Sequence, residues 1–441
     1  MEQNTDRMGF ALIALSVVAV VLLIMNTFFG PTVKGYFNGF NKWQESTFSK
    51  ILGGNNTDEK RPNPNDAKWV EKGNWGSNGK FVVDKDSNAV IYAIDASKPI
   101  IFHDMSAENA KLPKDTLTTL TIQDKVQGDT NSSMASAFAY EFYNLKTINN
   151  LDTNVDTSNV TDMFQMFRDS KLTTVGDLGK WNTSNVVDMN NMFNGSQLTS
   201  VGDLSQWDTS NVTNMSWMFY WSQLTSVGDL SQWNTSKVTN MSAMFYQSQL
   251  TTVGDLGKWN TSNVVDMNNM FNGSQLTSVG DLGKWNTSNV KDMEYMFQDS
   301  KLTSVGDLGQ WNTSNVVDMN NMFNGSQLTT VGDLSQWNTS NVNYMRSMFY
   351  KSQLTSVGDL NQWNTSNVTI MSWMFTNSKL TSVGDLSQWD TSKVKYMTSM
   401  FDSSQLTTVG DLSQWNTSNV TDMSNMFGGL RLTPPAWYTA S

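Results

Sequence analysis

Along most of the chain the apolar positions recur every 26 residues, a period far longer than the 2 of a strand or the 3.6 of a helix. Trp181, Trp207, Trp233, Trp259, Trp285, Trp311, Trp337, Trp363, Trp389 and Trp415 keep this spacing without exception. One unit, LTTVGDLGKWNTSNVVDMNNMFNGSQ from Leu172, sets out the apolar columns Leu172, Val175, Leu178, Trp181, Val186, Met189, Met192 and Phe193. Such a unit is too thin to bury its apolar face alone, so successive units must stack as a solenoid. A degenerate turn precedes the first full one: Leu145, Ile148 and Leu151 lead into VDTSNVTDMFQMF, with Val155 where Trp would stand. Residues 145–433 therefore read as about eleven repeats.

Within each coil the turns can be placed. Gly176 recurs in every full unit and suggests a bend or a positive φ. Asn-Thr-Ser-Asn at 182–185 is rich in side chains that bond to nearby backbone, which predicts a corner. Asp188 before MNNMF predicts a capped helical turn. The expected fold is a repeat solenoid. Short parallel β-strands are expected at about 174–178 and 185–187, with one short helical turn per 26-residue coil.

The remainder is organised differently. Phe10 to Met25 is apolar apart from Ser16, and Phe28 and Phe29 extend the run. About 20 such residues suffice to span a bilayer, and no A-x-A site follows, so residues 1–30 read as an uncleaved N-terminal transmembrane helix. Arg7 precedes the run and Lys34, Lys42 and Lys50 follow it, which by charge alone would keep the following domain inside. A large domain weakens that rule, and the reading adopted is outside. Residues 31–75 read as a linker or stalk. Residues 76–144 read as a small β-containing cap, with a hairpin at 80–94 and a strand at 116–122. Residues 434–441 read as a tail.

Composition narrows the function. The net charge of −11 argues against nucleic acid as a partner. There is no cysteine, and His103 is the one histidine, so thiolate chemistry, multi-His metal sites and His-based triads in the repeats are excluded. The methionines are core, since 22 of 27 fall in two apolar columns. The Asp177, Asp203, Asp229 column stacks like charges, to be resolved by hydrogen bonds to the adjacent turn or by a row of Ca²⁺ ions. No EF-hand or GGxGxD loop occurs, so no metal or other cofactor is expected. No catalytic residue is assigned and the chain reads as a non-enzyme. Each carboxylate column repeats about ten times, whereas catalysis needs one supported pair in a pocket. His103 and Asp104 in the cap read as structural, and the NTS triplets as turns rather than glycosylation acceptors.

The motifs WNTSNVVDMNNMF, WDTSNVTNMSWMF and WNTSNVTDMSNMF resemble the repeat of the BspA-like leucine-rich-repeat surface proteins, also known as a mycoplasma-lipoprotein-type domain of unknown function. The resemblance covers residues 145–433. It implies a bacterial surface protein that adheres to host proteins, other bacteria or matrix. Two departures stand out: no cysteine can be lipidated, and no LPxTG-type motif lies near Ser441, so attachment is expected through the N-terminal helix. The alternative is a pilin-like filament subunit that self-assembles through that helix. RMGFALIALSVV resembles a type IV pilin leader, with Gly9 before Phe10, although Ala14 stands where pilins carry an acidic residue.

Ligand candidates are the aromatic departures from the consensus. Trp217, Tyr220 and Trp221 share one unit, Tyr246 repeats the Tyr220 column, and Trp373 repeats the Trp217 column. Tyr344, Ile370 and Tyr396 occupy one column in successive units where others carry Asp or Asn. Exposed, these would form stripes for a protein or glycan ligand; the alternative is local packing. The expected partners are thus a membrane, through the helix, and a ligand on other cells or matrix.

Overall fold

The computed structural model describes residues 61–429 and 432–439. Among these residues no helix is long and apolar enough to cross a membrane. The apolar run read as an anchor, and the linker up to residue 60, lie outside them. The described residues from Pro64 onward form one compact unit.

The unit begins with an antiparallel meander of β1 (Trp69–Asn74), β2 (Gly79–Asp84) and β3 (Asn88–Ala93). The hairpin expected at 80–94 is β2–β3, turning with Ser87 at a φ of 64°. β1 lies inside the stretch expected as linker, so folded structure starts before residue 76. Pairing then turns parallel, from β3 to β5 (Thr119–Ile122), to β7 (Thr147–Asn149) and to a bridge at Thr174. A second parallel series runs from β4 (Ile100–Asp104) to β6 (Val126–Ser133), then to β8 (Val155–Asp156) and β9 (Val160–Asp162). It continues as single-residue bridges through Asp188, Asn214, Asn240, Asp266, Asp292, Asp318, Tyr344, Ile370, Tyr396 and Asp422.

The region expected as a separate cap is therefore continuous with the solenoid. Ser136 and Phe138 donate backbone hydrogen bonds to Phe164 and Met166 of the next coil at 2.8 and 2.9 Å, as later coils do. A short helix α1 (Met105–Asn109) follows β4. Its buried Asn109 accepts from Trp75 Nε1 at 3.0 Å and donates to the Ala137 carbonyl at 2.9 Å, tying the meander to this early coil. The sequence conceals the coil because it carries neither Trp nor the TSN corner.

Two elements of the coil differ from the sequence expectation. No strand forms at 174–178. Gly176 sits at a φ of 83°, and Asp177 caps a 3-10 turn, Leu178–Lys180, by accepting from the Gly179 amide at 3.1 Å. The same turn recurs in all ten full coils. The one helical turn per coil thus lies here and not after Asp188. In the latter place the chain makes consecutive β-turns, with Met192, Asn194 and Ser196 amides bonded three residues back. Asn191 and Gly195 take positive φ, as the third residue of a type II turn requires. The reason is the use of amides. Met189, Asn191, Phe193 and Gly195 donate forward to Asn214, Ser216, Met218 and Tyr220 at 2.8 to 3.2 Å. A helix would close those donors within its own coil and leave the stack without its ladder. The strand expected at 185–187 contracts to the Asp188 bridge and the backward bond from Val187 to Thr161, 2.8 Å.

The corner at 182–185 forms as expected: Asn182 Oδ1 accepts from the Ser184 amide, 3.1 Å, and hydroxyl, 2.7 Å. Asp177 makes the hydrogen bond to the adjacent turn, its Oδ1 accepting from the Gly179 amide at 3.1 Å. The eight apolar columns are buried throughout the interior coils. Phe rings stack from Phe138 to Phe427 at 5.6 to 5.9 Å. From Trp207 onward each Trp of the column also stitches coils together, as Trp259 Nε1 donates to the Leu230 carbonyl of the preceding coil at 2.9 Å. Trp181, the first of the column, is buried with its indole N–H lacking a protein acceptor. At the other end the supposed tail continues the column: Trp437 stacks on Trp415 at 6.5 Å and donates to the Leu412 carbonyl at 2.8 Å.

Replacing Trp259 by Ala removes a buried ring and an inter-coil bond, and should lower stability by ~3–5 kcal/mol. Denaturant unfolding checks this, and a loss below about 1 kcal/mol would show that the column is not core.

Candidate functional site

All eight sequence candidates fall on one face, built from residues 188–195 of each coil and their equivalents. Met189, Met192 and Phe193 point inward and are buried; of the neighbouring positions Asn190, Asn191 and Gly195 are half-buried and Asn194 is buried, so exposure on this face depends on which residue a coil carries. The candidates gather into two groups rather than one. Trp217, Tyr220, Trp221 and Tyr246 make the first. Tyr220 and Tyr246 stack at 4.5 Å and 9°, Trp217 lies against Tyr220 at 4.7 Å, and Trp221 is 6.1 Å from Tyr220. Trp217 is 39% exposed and Trp221 57%, while the two tyrosines are half-buried. Burial pushes the Tyr220 hydroxyl above its usual value, and Tyr246 adds to the shift.

The second group holds Tyr344, Ile370 and Tyr396 in the bridge column, with Tyr344 38% and Tyr396 44% exposed. Trp373 is half-buried beneath the Arg346 guanidinium, which lies 4.7 Å from its ring centre. That cation–π contact was not legible in the sequence, because Arg346 and Trp373 stand a full repeat apart and one position out of column.

Backbone conformation marks the tryptophans further. Trp217, Trp221 and Trp373 have φ of 61°, 51° and 58°. Equivalent positions hold Asn191, Asn269 and Asn321, or Gly195, Gly273 and Gly325, residues that tolerate this region, while Ala243, Tyr295, Gln247 and Lys351 adopt it in other coils. A bulky residue there costs about 1–2 kcal/mol. The ladder imposes the conformation, since Trp217 and Trp221 amides must still donate forward to Ser242 and Tyr246, at 2.9 and 2.8 Å.

Between the two groups the same face is acidic. Asp266, Asp292 and Asp318 follow one another in the bridge column, with Glu294 beside them. Each Asp accepts from the amide two residues on, as Asp292 does from Glu294 at 2.9 Å. Burial and then the charges of Asp318 and Asp292 raise Glu294 to about 7. Burial and then Asp292 raise Asp318 to about 6. Asp266 is raised by the same causes, and Asp188 by burial and Asp162. Among the described residues no group of three or more His, Cys, Asp or Glu is arranged to hold a metal ion. In the first coils His103 pairs with Asp129 at 2.8 Å on the surface, and Asp104 caps α1 through the Ala107 amide at 3.1 Å.

The repeat matches the family described as "Mycoplasma protein of unknown function, DUF285" over residues 132–249, 220–328, 274–380 and 352–433. The chain belongs to this family. The match begins at residue 132, within the concealed early coil, and ends before the Trp437 cap of this DUF285 protein. Among solved structures it is similar to a leucine-rich repeat protein from Eubacterium ventriosum. The identity is 15% and the TM-score 0.25, over 84% of this chain and 97% of that one. A likeness at this level carries no argument about fold or ligand. No curated protein matches the sequence.

The raised Glu294 gives a pH test. Its folded form favours the protonated state, so its contribution is full below the ordinary carboxyl range and is lost as pH rises through about 7. Glu294→Gln should therefore raise the thermal midpoint at pH 8 and leave it unchanged at pH 4. Equal shifts at both would contradict the assignment.

Proposed function

We propose that this DUF285 protein is an interaction scaffold on a bacterial cell surface, an adhesin held to the cytoplasmic membrane by the apolar run near its N-terminus. The face formed by residues 188–195 and their equivalents meets protein or glycan ligands on other cells or matrix. The observation that carries the reading is the retention of exposed tryptophans at Trp217 and Trp221, where the backbone favours Asn and Gly. Core packing offers no reason for them. Strained positions cluster where function requires them. The second group supports the same reading, since aromatic residues and Arg are the side chains enriched in protein interfaces. Uniform coil length confines individuality to such substitutions.

Two variants test it. One replaces Trp217, Tyr220 and Trp221 by the Asn, Asn and Gly of another coil, and the other places Asp at Tyr344, Ile370 and Tyr396. Each should stay folded by circular dichroism. At least one should cut adhesion of expressing cells to host cells or matrix about tenfold, roughly the effect of 1.4 kcal/mol. Protease shaving of intact cells should remove a C-terminal tag. Unchanged adhesion by both variants, or a tag protected until lysis, would overturn the reading.

A further inference from the structure

Resting on that reading of the face, we propose that Trp217, Tyr220, Trp221 and Tyr246 form a platform for an uncharged saccharide chain. Three observations select this chemistry. The first is charge. The bridge column carries Asp162 and Asp188 before the platform and Asp266 and Asp292 after it, but Asn214 and Asn240 in its own two coils. Residues 214–225 and 240–251 contain no charged side chain at all. A phosphate, sulfate or carboxylate ligand would find no cation there and would meet an acidic rod on either side. A cationic ligand would be better served by the acidic stretch that follows.

The second observation is ring geometry. Tyr220 and Tyr246 occupy one another's faces at 4.5 Å and brace the cluster, while the two indoles keep exposed surface. Sugar rings present patches of C–H groups whose slight positive charge suits the negative face of an indole. A braced cluster loses little freedom when a ligand settles on it. The third observation is the rim. Asn214, Asn240 and Gln247 place amide side chains on the same face; the Oδ1 atoms of Asn214 and Asn240 are held by the Ser216 and Ser242 amides at 3.0 and 2.8 Å, which leaves their Nδ2 groups as donors for hydroxyl oxygens. Aromatic surface edged by amides, without charge, is the complement of a neutral polyhydroxylated chain.

The test uses the full-length protein in detergent with cellohexaose, chitohexaose and mannohexaose as probes, and a heparin oligosaccharide as the charged control. Binding is read by indole fluorescence and calorimetry, and adhesion of cells is measured alongside. At least one neutral oligosaccharide should bind saturably and heparin should not. Trp217→Asn with Trp221→Gly, which restores the residues found in other coils, should weaken binding at least tenfold without lowering the thermal midpoint. Binding to none of the neutral probes, preference for heparin, or undiminished binding by the double variant would each overturn the proposal. If no saccharide binds but the double variant still loses adhesion, the saccharide assignment fails and the ligand surface stands, its partner then a protein. If adhesion is also unchanged, both fail at this cluster.

Discussion

The structure depends on how backbone amides are shared between coils. In each repeat the amides equivalent to Met189, Asn191, Phe193 and Gly195 point forward, and that of Val187 points back. This alternation makes every coil a template for the next and locks the period at 26. The apolar columns follow from it: once carbonyl and amide are in register, Phe stacks on Phe and each Trp after Trp181 finds a Leu carbonyl one coil behind. Gly254 illustrates how tightly the register is held. Its φ is 81°, and a methyl group there would collide with the Asp229 carboxylate of the preceding coil. Asp229 in turn caps its own 3-10 turn through the Ser231 amide.

The same alternation explains why the face of residues 188–195 is a place where the protein can differ from coil to coil. Inward positions are fixed by stacking, and the corner is fixed by Thr and Asn side chains that bond to neighbouring coils, as Thr183 does to the Asp208 carbonyl and Asn185 to the Ser158 carbonyl. The outward positions of the turn segment carry the aromatic differences, alongside polar variation at 179–180, 185 and 187 and their equivalents. Two of the turn-segment positions must hold positive φ, so Asn and Gly are the low-cost occupants and Trp is not. A neutral aromatic group, an acidic stretch and an aromatic group with an Arg therefore succeed one another on a single face of an otherwise uniform rod.

Much of this was legible in the sequence. Period, core columns and the Asn182 corner follow from residue type, because burial and local side-chain bonding leave direct marks. What could not be read is equally physical. MNNMF has helical spacing, yet the competition of the next coil for its amides converts it to turns. Gly176 signalled a bend, but the Asp177 cap that makes a 3-10 turn there looks the same in sequence as a charge in a strand. Candidate residues were found as departures from a consensus. Their strain, the Arg346–Trp373 contact and the raised Glu294 arise only when coils are brought together. The early coil at Phe138 and the closing Trp437 lack the signature residues and are recognised by their hydrogen bonds alone.

The most direct test of the account is amide hydrogen exchange along the Phe column. Phe193, Phe219, Phe245, Phe271, Phe297, Phe323, Phe349 and Phe375 each donate to the following coil at 2.9 to 3.0 Å. If the forward ladder holds the solenoid together, these amides should be strongly protected and should exchange as a block, at rates set by the opening of several coils. Rapid, independent exchange of these amides in a folded chain would show that side-chain packing, and not the shared backbone ladder, carries the stack.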